Sequence, residues 1–289
     1  MKTVLLLTDF STGGNHAAAY GYHLAKHLKA NVVICNAIVI PLQMAEAGMI
    51  GWPVNGYDGI MEDTEKELKK LKKVFEHSDH SSGFHPQIDC MSQMGRLGDV
   101  VENISSVLDV VLIVMGTHHD GFGSLLLDNN TRNMINTTNH PLVLVPPHAQ
   151  FKDIKKMSFA TDFEFPLQDA EDLERLVPMA RLFGAEIVIT HVHSPERQLK
   201  DHQVLGNELV AGVFNKTNYS EVVYQAIQND HPNWGISHFC AEAKVDLLVM
   251  VHRSHNFMDV MLKGSHTQKM ARDLPIPMFV IPAGTKNHS

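Results

Sequence analysis

Short runs of consecutive apolar residues punctuate the chain at 4–7, 32–34, 110–115 and 142–145. They are rich in valine and isoleucine and lack polar alternation, the pattern of strands covered on both faces. Between them, residues 15–29 and 62–76 place apolar side chains at helical spacing. In the second stretch Thr64, Leu68, Leu71 and Phe75 form one stripe, and lysines and glutamates take the other positions. The lysines at 66–73 share that helix with Glu62, Glu65, Glu67 and Glu76, which makes a solvated face and not a nucleic-acid patch. Strand alternating with helix predicts parallel strands joined by right-handed crossovers, in a three-layer α/β sandwich.

The pattern occurs twice. Val4-Leu-Leu-Leu-Thr-Asp-Phe-Ser11 returns as Met157-Ser-Phe-Ala-Thr-Asp-Phe-Glu164, with Thr-Asp-Phe identical. The segments beginning at Leu24, Asp109 and His140 return, in the same order, as those beginning at Met179, Val245 and Ile276. Four ordered matches describe a tandem duplication. Two domains follow, 1–147 and 154–284, separated by Pro146-Pro-His-Ala-Gln150, whose prolines end a strand. Each half finishes on a short strand with prolines at its margins, which reads as an edge. Two such edges in one chain can pair, giving an internal pseudo-dimer. Residues 41–59 and 194–218 show neither period and read as irregular connections, either lids over the strand ends or dimer-stabilising flaps.

Composition narrows the function. With 289 residues, 44% hydrophobic and 19% charged, the chain can fill two cores. A net charge of -8 gives no chain-wide basic footprint for nucleic acid. No apolar run approaches a membrane span. The start has one lysine and too short an apolar run for a signal peptide, so a cytoplasmic location is expected. Three cysteines, odd in number and widely spaced, make no disulfide framework. Cys35 falls in a strand and Cys240 on the apolar side of 235–243, the settings of inert core thiols. No Gly-x-Ser-x-Gly or comparable nucleophile setting is present, and no catalytic residue is assigned.

In open α/β sheets ligands lie beyond the carboxyl ends of the strands. The first strand of each half ends at Asp9 or Asp162. The second ends at Asn36 or at His191-Val-His193. The later strand runs into Gly116-Thr-His-His119 or Val251-His-Arg-Ser-His255, with helices starting near 128–131 and 264–267. These ends, and the closing Pro-(hydrophobic)4-Pro, resemble the universal stress protein family in its tandem two-domain form, over 2–147 and 154–282. The resemblance implies two Rossmann-like α/β/α sandwiches with parallel sheets, of the adenine nucleotide alpha hydrolase-like type. It also assigns candidate nucleotide-binding residues: Asp9 and Asp162 on the adenine side, Gly116 as the opening glycine, Gly264 and Ser265 as the closing pair.

Family members that bind ATP carry Gly-x2-Gly-x9-Gly-(Ser/Thr), where bare backbone lets phosphates approach amides at a helix N-terminus. Here His119 replaces the second glycine of the first half, and Asp128-Asn129 replaces the closing pair in a loop one residue shorter. In the second half Val251 and Ser254 replace the first two glycines. Valine adopts few of the conformations open to glycine. A carboxylate at Asp128, facing the loop, repels phosphate by roughly a few kcal/mol. The expectation is therefore a non-enzymatic stress-response module that binds a ligand or protein partner through degenerate loops, with ATP or another adenine nucleotide held at low affinity. One alternative is an ATP switch in the second half, where Lys263 stands beside Gly264 and Ser265. The other is a metal-binding protein or enzyme holding Zn on His191, His193, His252 and His255, with Asp162 nearby. The plainer readings are that Asp9 and Asp162 cap helices and that these histidines, among 19 in the chain, are solvated or capping groups. A homodimer is left open as an assembly beyond the pseudo-dimer.

Overall fold

The computed structural model describes residues 2–38, 55–117, 129–194, 199–253 and 276–282. In chain order these form β1 (Thr3–Leu7), α1 (Thr12–Leu28), β2 (Asn31–Ile38), α2 (Asn55–Ser78), β3 (Ile88–Met94), α3 (Leu97–Val107), β4 (Val110–Gly116), α4 (Asn129–Thr137) and β5 (Leu142–Val145). The repeat continues with β6 (Lys156–Ala160), α5 (Pro166–Phe183), β7 (Glu186–His193), α6 (Leu199–Thr217), β8 (Val222–Gln228), α7 (Pro232–Glu242), β9 (Leu247–His252) and β10 (Met278–Pro282). They fall into two compact units, one ending at Leu142 and the other beginning at Val143, so the division runs through β5.

In the first unit the strands lie in the order β3-β2-β1-β4, each pair parallel. In the second the order is β10-β9-β6-β7-β8, again all parallel. The registers correspond. Leu6 lies between Ile34 and Val114, and Phe159 lies between Ile189 and Val249. All five residues of β1 are buried, which requires cover on both faces of the sheet. Each fully buried aliphatic or aromatic side chain of this kind contributes about 1.5–3 kcal/mol.

Helix α1 packs through small residues, Ala17, Ala18, Gly21 and Ala25. A Cβ on Gly21 would lie 2.4 Å from Leu6 Cδ2, so glycine lets the helix settle directly on the sheet. Helix α2 buries Thr64, Leu68 and Phe75, three of the four stripe residues. Its lysines pair with carboxylates one turn away, Lys66 with Glu62 and Lys69 with Glu65. Cys35 and Cys240 are buried, and burial pushes both thiols up to about 12.

The differences from the sequence reading have one source. Strands β3 and β8 were not expected, because Ile-Asp-Cys-Met-Ser-Gln-Met and Val-Val-Tyr-Gln-Ala-Ile-Gln are mixed runs. They end the strand order of their units, and each has only its first residue buried. Residues 194–218 are corrected from an irregular connection to a connection dominated by α6. That helix buries Gly206, Leu209 and Val213 at helical spacing, and the glycine hides the stripe. Of residues 41–59, 55–59 are the first turns of α2, and the remainder lies outside the described residues.

Candidate functional site

Both halves leave their first strand through the same turn. In the first, Thr8 Oγ1 accepts the Phe10 N–H at 3.0 Å, and Asp9 Oδ1 accepts the Ser11 N–H at 3.0 Å. In the second, Thr161 Oγ1 accepts the Phe163 N–H at 2.9 Å, and Asp162 Oδ1 accepts the Glu164 N–H at 2.9 Å. These two interlocked side-chain turns hold Phe10 and Phe163 at φ 64° and 60°. That left-handed conformation costs a non-glycine residue about 1–2 kcal/mol. The aspartates are thus turn formers, and the helix-cap reading is corrected. The cap of α1 is Ser11, whose Oγ accepts the Gly14 N–H at 3.0 Å. Helix α5 begins at Pro166 with no side-chain cap.

The second strand of each half is tied to that turn. Asn36 Nδ2 donates to the Thr8 carbonyl at 2.7 Å, and His191 Nδ1 donates to the Thr161 carbonyl at 2.9 Å. His191 therefore does in the second half what an asparagine does in the first. The acceptor is a carbonyl, so the proton sits on Nδ1 and the Nε2 lone pair is left over.

Gly116 ends β4 against the first turn of α1. A Cβ there would lie 2.9 Å from the Gly13 carbonyl oxygen and 3.4 Å from Ala17 Cβ. Its bare face is covered by the chain's own helix. Gly264, Ser265 and His255 lie outside the described residues, as do His119, Asp128, Ser254 and Lys263.

In the second half the end of β9 carries a group the sequence did not single out. Arg253 Nη1 lies 2.6 Å from Asp169 Oδ1, and its Nη2 lies 2.6 Å from Asp172 Oδ2. Asp169 also accepts from the Thr161 hydroxyl at 2.5 Å, and the guanidinium lies 5.8 Å from the centre of the Phe165 ring. The two aspartates are 1% and 4% exposed. Burial pushes both carboxyls up, and Arg253 opposes the shift. The i, i+3 spacing of Asp169 and Asp172 on α5 was a readable signal. Their cation, 81 residues beyond Asp172, was not.

Beside this ion cluster lies a stack of rings. Phe163 and His191 have centroids 4.7 Å apart, and His191 and His202 have centroids 4.4 Å apart at 28°. His193 follows at 6.5 Å from His191, and Tyr224 lies 5.8 Å from Phe163. His191 and His193 are 3% and 4% exposed. His191 Nε2, His202 Nδ1 and the Tyr224 hydroxyl are buried without a hydrogen-bond partner. Gly206 makes room for Tyr224, since a Cβ there would lie 2.4 Å from the phenol ring. Burial pulls the His191 imidazole down to about 4. Among the described residues no group of three His, Cys, Asp or Glu is placed to hold a metal. His252 is the last residue of β9.

The model of the universal stress protein family matches the chain twice, at residues 1–146 and 154–282. The chain belongs to the universal stress protein family. This universal stress protein is similar to solved structures over nearly its whole length. One is a universal stress protein from Archaeoglobus fulgidus, 19% identical, with 98% of each chain covered and a TM-score of 0.69. Another is a protein of unknown function from Pseudomonas aeruginosa, 10% identical, with 98% of this chain and 92% of that one covered and a TM-score of 0.58. A third is the cytoplasmic domain of a prokaryotic cation chloride cotransporter, 7% identical, covering 99% and 96%, with a TM-score of 0.51. At these identities the likeness is one of fold. No curated protein sequence matches the chain. Among the described residues no helix is long and apolar enough to cross a membrane.

Proposed function

We propose that this universal stress protein works without catalysis, as a cytoplasmic stress-response module that binds a ligand or a protein partner and whose nucleotide loops no longer hold ATP tightly. One observation carries the reading. The guanidinium at the end of β9 has both Nη atoms on carboxylates of its own chain, at 2.6 Å each. A phosphate arriving at that strand end meets two buried carboxylates in place of a free cation. In the first half the Gly116 backbone, which resembles the opening of a phosphate loop, is occupied by α1. The valine, serine, histidine and aspartate substitutions in the loops act in the same direction.

Isothermal titration of the full chain with Mg-ATP tests the reading. The expected result is no saturation below about 1 mM. A micromolar Kd overturns it and makes the second half a nucleotide switch. Metal analysis of the purified chain addresses the remaining reading: stoichiometric Zn would return the second-half histidines to the centre of the function. The two halves are proposed to act as an internal pseudo-dimer, so light scattering is expected to give the mass of one chain. A stable homodimer would show that the halves do not suffice for each other.

A further inference from the structure

In the first unit we infer a binding site for a small zwitterion, an α-amino acid, in the cleft between α3 and α4. The cleft has a volume of about 320 Å³ and is lined by both helices and the turn at 138–140. All of these residues belong to the first unit. Neither Asp9 nor Gly116 is among them.

Along α3, Gly98, Val101, Glu102 and Ser105 recur at helical spacing and share the face that lines the cleft. Val101 and Met134 are buried and give it an apolar floor. The Ser105 hydroxyl oxygen is also buried, and it has no hydrogen-bond partner. Buried hydroxyls are ordinarily hydrogen-bonded, so this one marks a place where a polar ligand gains a bond.

The charges point to the kind of ligand. Arg96, Asp99 and Glu102 reach the same cleft from exposed positions, and among the described residues none of the three takes part in an ion pair. Opposite charges one turn apart often close on each other at a helix surface. Here they line one space and stay apart. They are also ordered along the helix. Arg96 stands at the cap position of α3 and makes no side-chain bond to its first N–H groups. A Cβ on Gly98 would lie 3.2 Å from Thr137 Oγ1 and 3.4 Å from Asn133 Nδ2, so a side-chain amide donor stands beside that helix end. Donors gather there, and Glu102, four residues beyond Gly98 and about 6 Å along the axis, supplies an acceptor. An α-amino acid carries its carboxylate and ammonium on one carbon. With a hydrogen bond of about 2.8 Å at each end, it spans a separation of this size. Counting the helix end as about half a positive charge, the cleft sets about 1.5 positive charges against two carboxylates. A ligand of net charge near zero fits that balance, whereas a phosphate ester meets two carboxylates and does not.

The inference names a ligand for the binding module proposed above and uses neither nucleotide loop, so ATP binding and amino acid binding succeed or fail separately. Amide NMR of the full chain, titrated with each of the twenty L-amino acids at up to about 10 mM, tests it. At least one is expected to saturate with a Kd of about 10 µM to 1 mM and to move the amides of Gly98, Glu102 and Asn133. The amine and the acid that each lack one of its charged groups are expected to bind at least about tenfold more weakly. R96Q and E102Q, both at exposed positions, are each expected to weaken binding about tenfold. No binding by any of the twenty overturns the inference, as do shifts confined to residues outside the cleft. Equal binding of the amine or the acid would show a simple ion site and overturn it, and so would an unchanged affinity in both variants.

Discussion

Arg253→Met removes the cation of the buried cluster while keeping its length and most of its apolar stem. Asp169 and Asp172 are then left 1% and 4% exposed, with only the Thr161 hydroxyl on one and the more exposed Arg175, at 3.3 Å, on the other. Breaking a buried pair from one side costs about 3–5 kcal/mol, because the remaining charge stays desolvated. The cost depends on pH in a defined direction. Burial already pushes both carboxyls up, and without Arg253 they rise further above their unfolded value. The folded variant then binds more protons than the unfolded one, so its stability is retained below the unfolded value and lost as pH rises through the raised folded value. Urea unfolding of the full chain, followed by circular dichroism at pH 7.5 and pH 5, should show the larger deficit at pH 7.5. The neutral triple variant D169N/D172N/R253M should recover at least half of it, since neutralised buried clusters are often no less stable than charged ones. A single-variant deficit below about 1 kcal/mol refutes the reasoning, and so does a triple variant no better than the single one.

The other predictions concern the first unit. Gly116→Ala places a Cβ 2.9 Å from the Gly13 carbonyl oxygen, main chain that cannot swing aside, and should cost about 1–3 kcal/mol in urea unfolding. An unchanged midpoint would show that α1 does not press on β4. Asp79 has a different role. Burial alone would push its carboxyl up, but bonds from Lys26, Ser81 and Tyr22 hold it well below the usual carboxylate range. Its stabilisation is therefore present above the unfolded value near 4 and lost as pH falls below it. Asp79→Asn should cost about 2–3 kcal/mol at pH 7 and flatten the acid limb of the stability curve, as read by thermal unfolding between pH 7 and pH 3. An acid limb as steep as that of the wild type would place the dependence elsewhere.

Much of the fold was legible because its strongest signals are local. Buried parallel strands show as unbroken apolar runs, so β1, β2, β4 and β5 were visible at their cores. Duplication then supplied a second copy of each inference, and the shared Thr-Asp-Phe marked both strand-end turns. Legibility failed where half of an element faces water. The mixed runs of β3 and β8 and the glycine-broken stripe of α6 have no clean period, and the ring partners His202 and Tyr224 lie on two of those elements. The aspartates were found, but the plainer reading of them as helix caps was wrong. A carboxylate after a strand can cap a helix or close a turn, and the bonds from the Ser11 and Glu164 N–H groups, with the positive φ of Phe10 and Phe163, choose the turn.

The sequence by itself determined the class of the fold, its duplication, the places of Asp9 and Asp162 after the first strand of each half, and the loss of glycines from both loops. Each of these rests on neighbours within a few residues, or on comparing one half with the other. Tertiary structure alone decided that Arg253 belongs to Asp169 and Asp172, that Gly116 faces Gly13, and that His191 stacks on His202 while bonding Thr161. The physical reason is that charge, packing and ring stacking act over a few ångströms in space, whereas the groups they join here lie far apart along the chain.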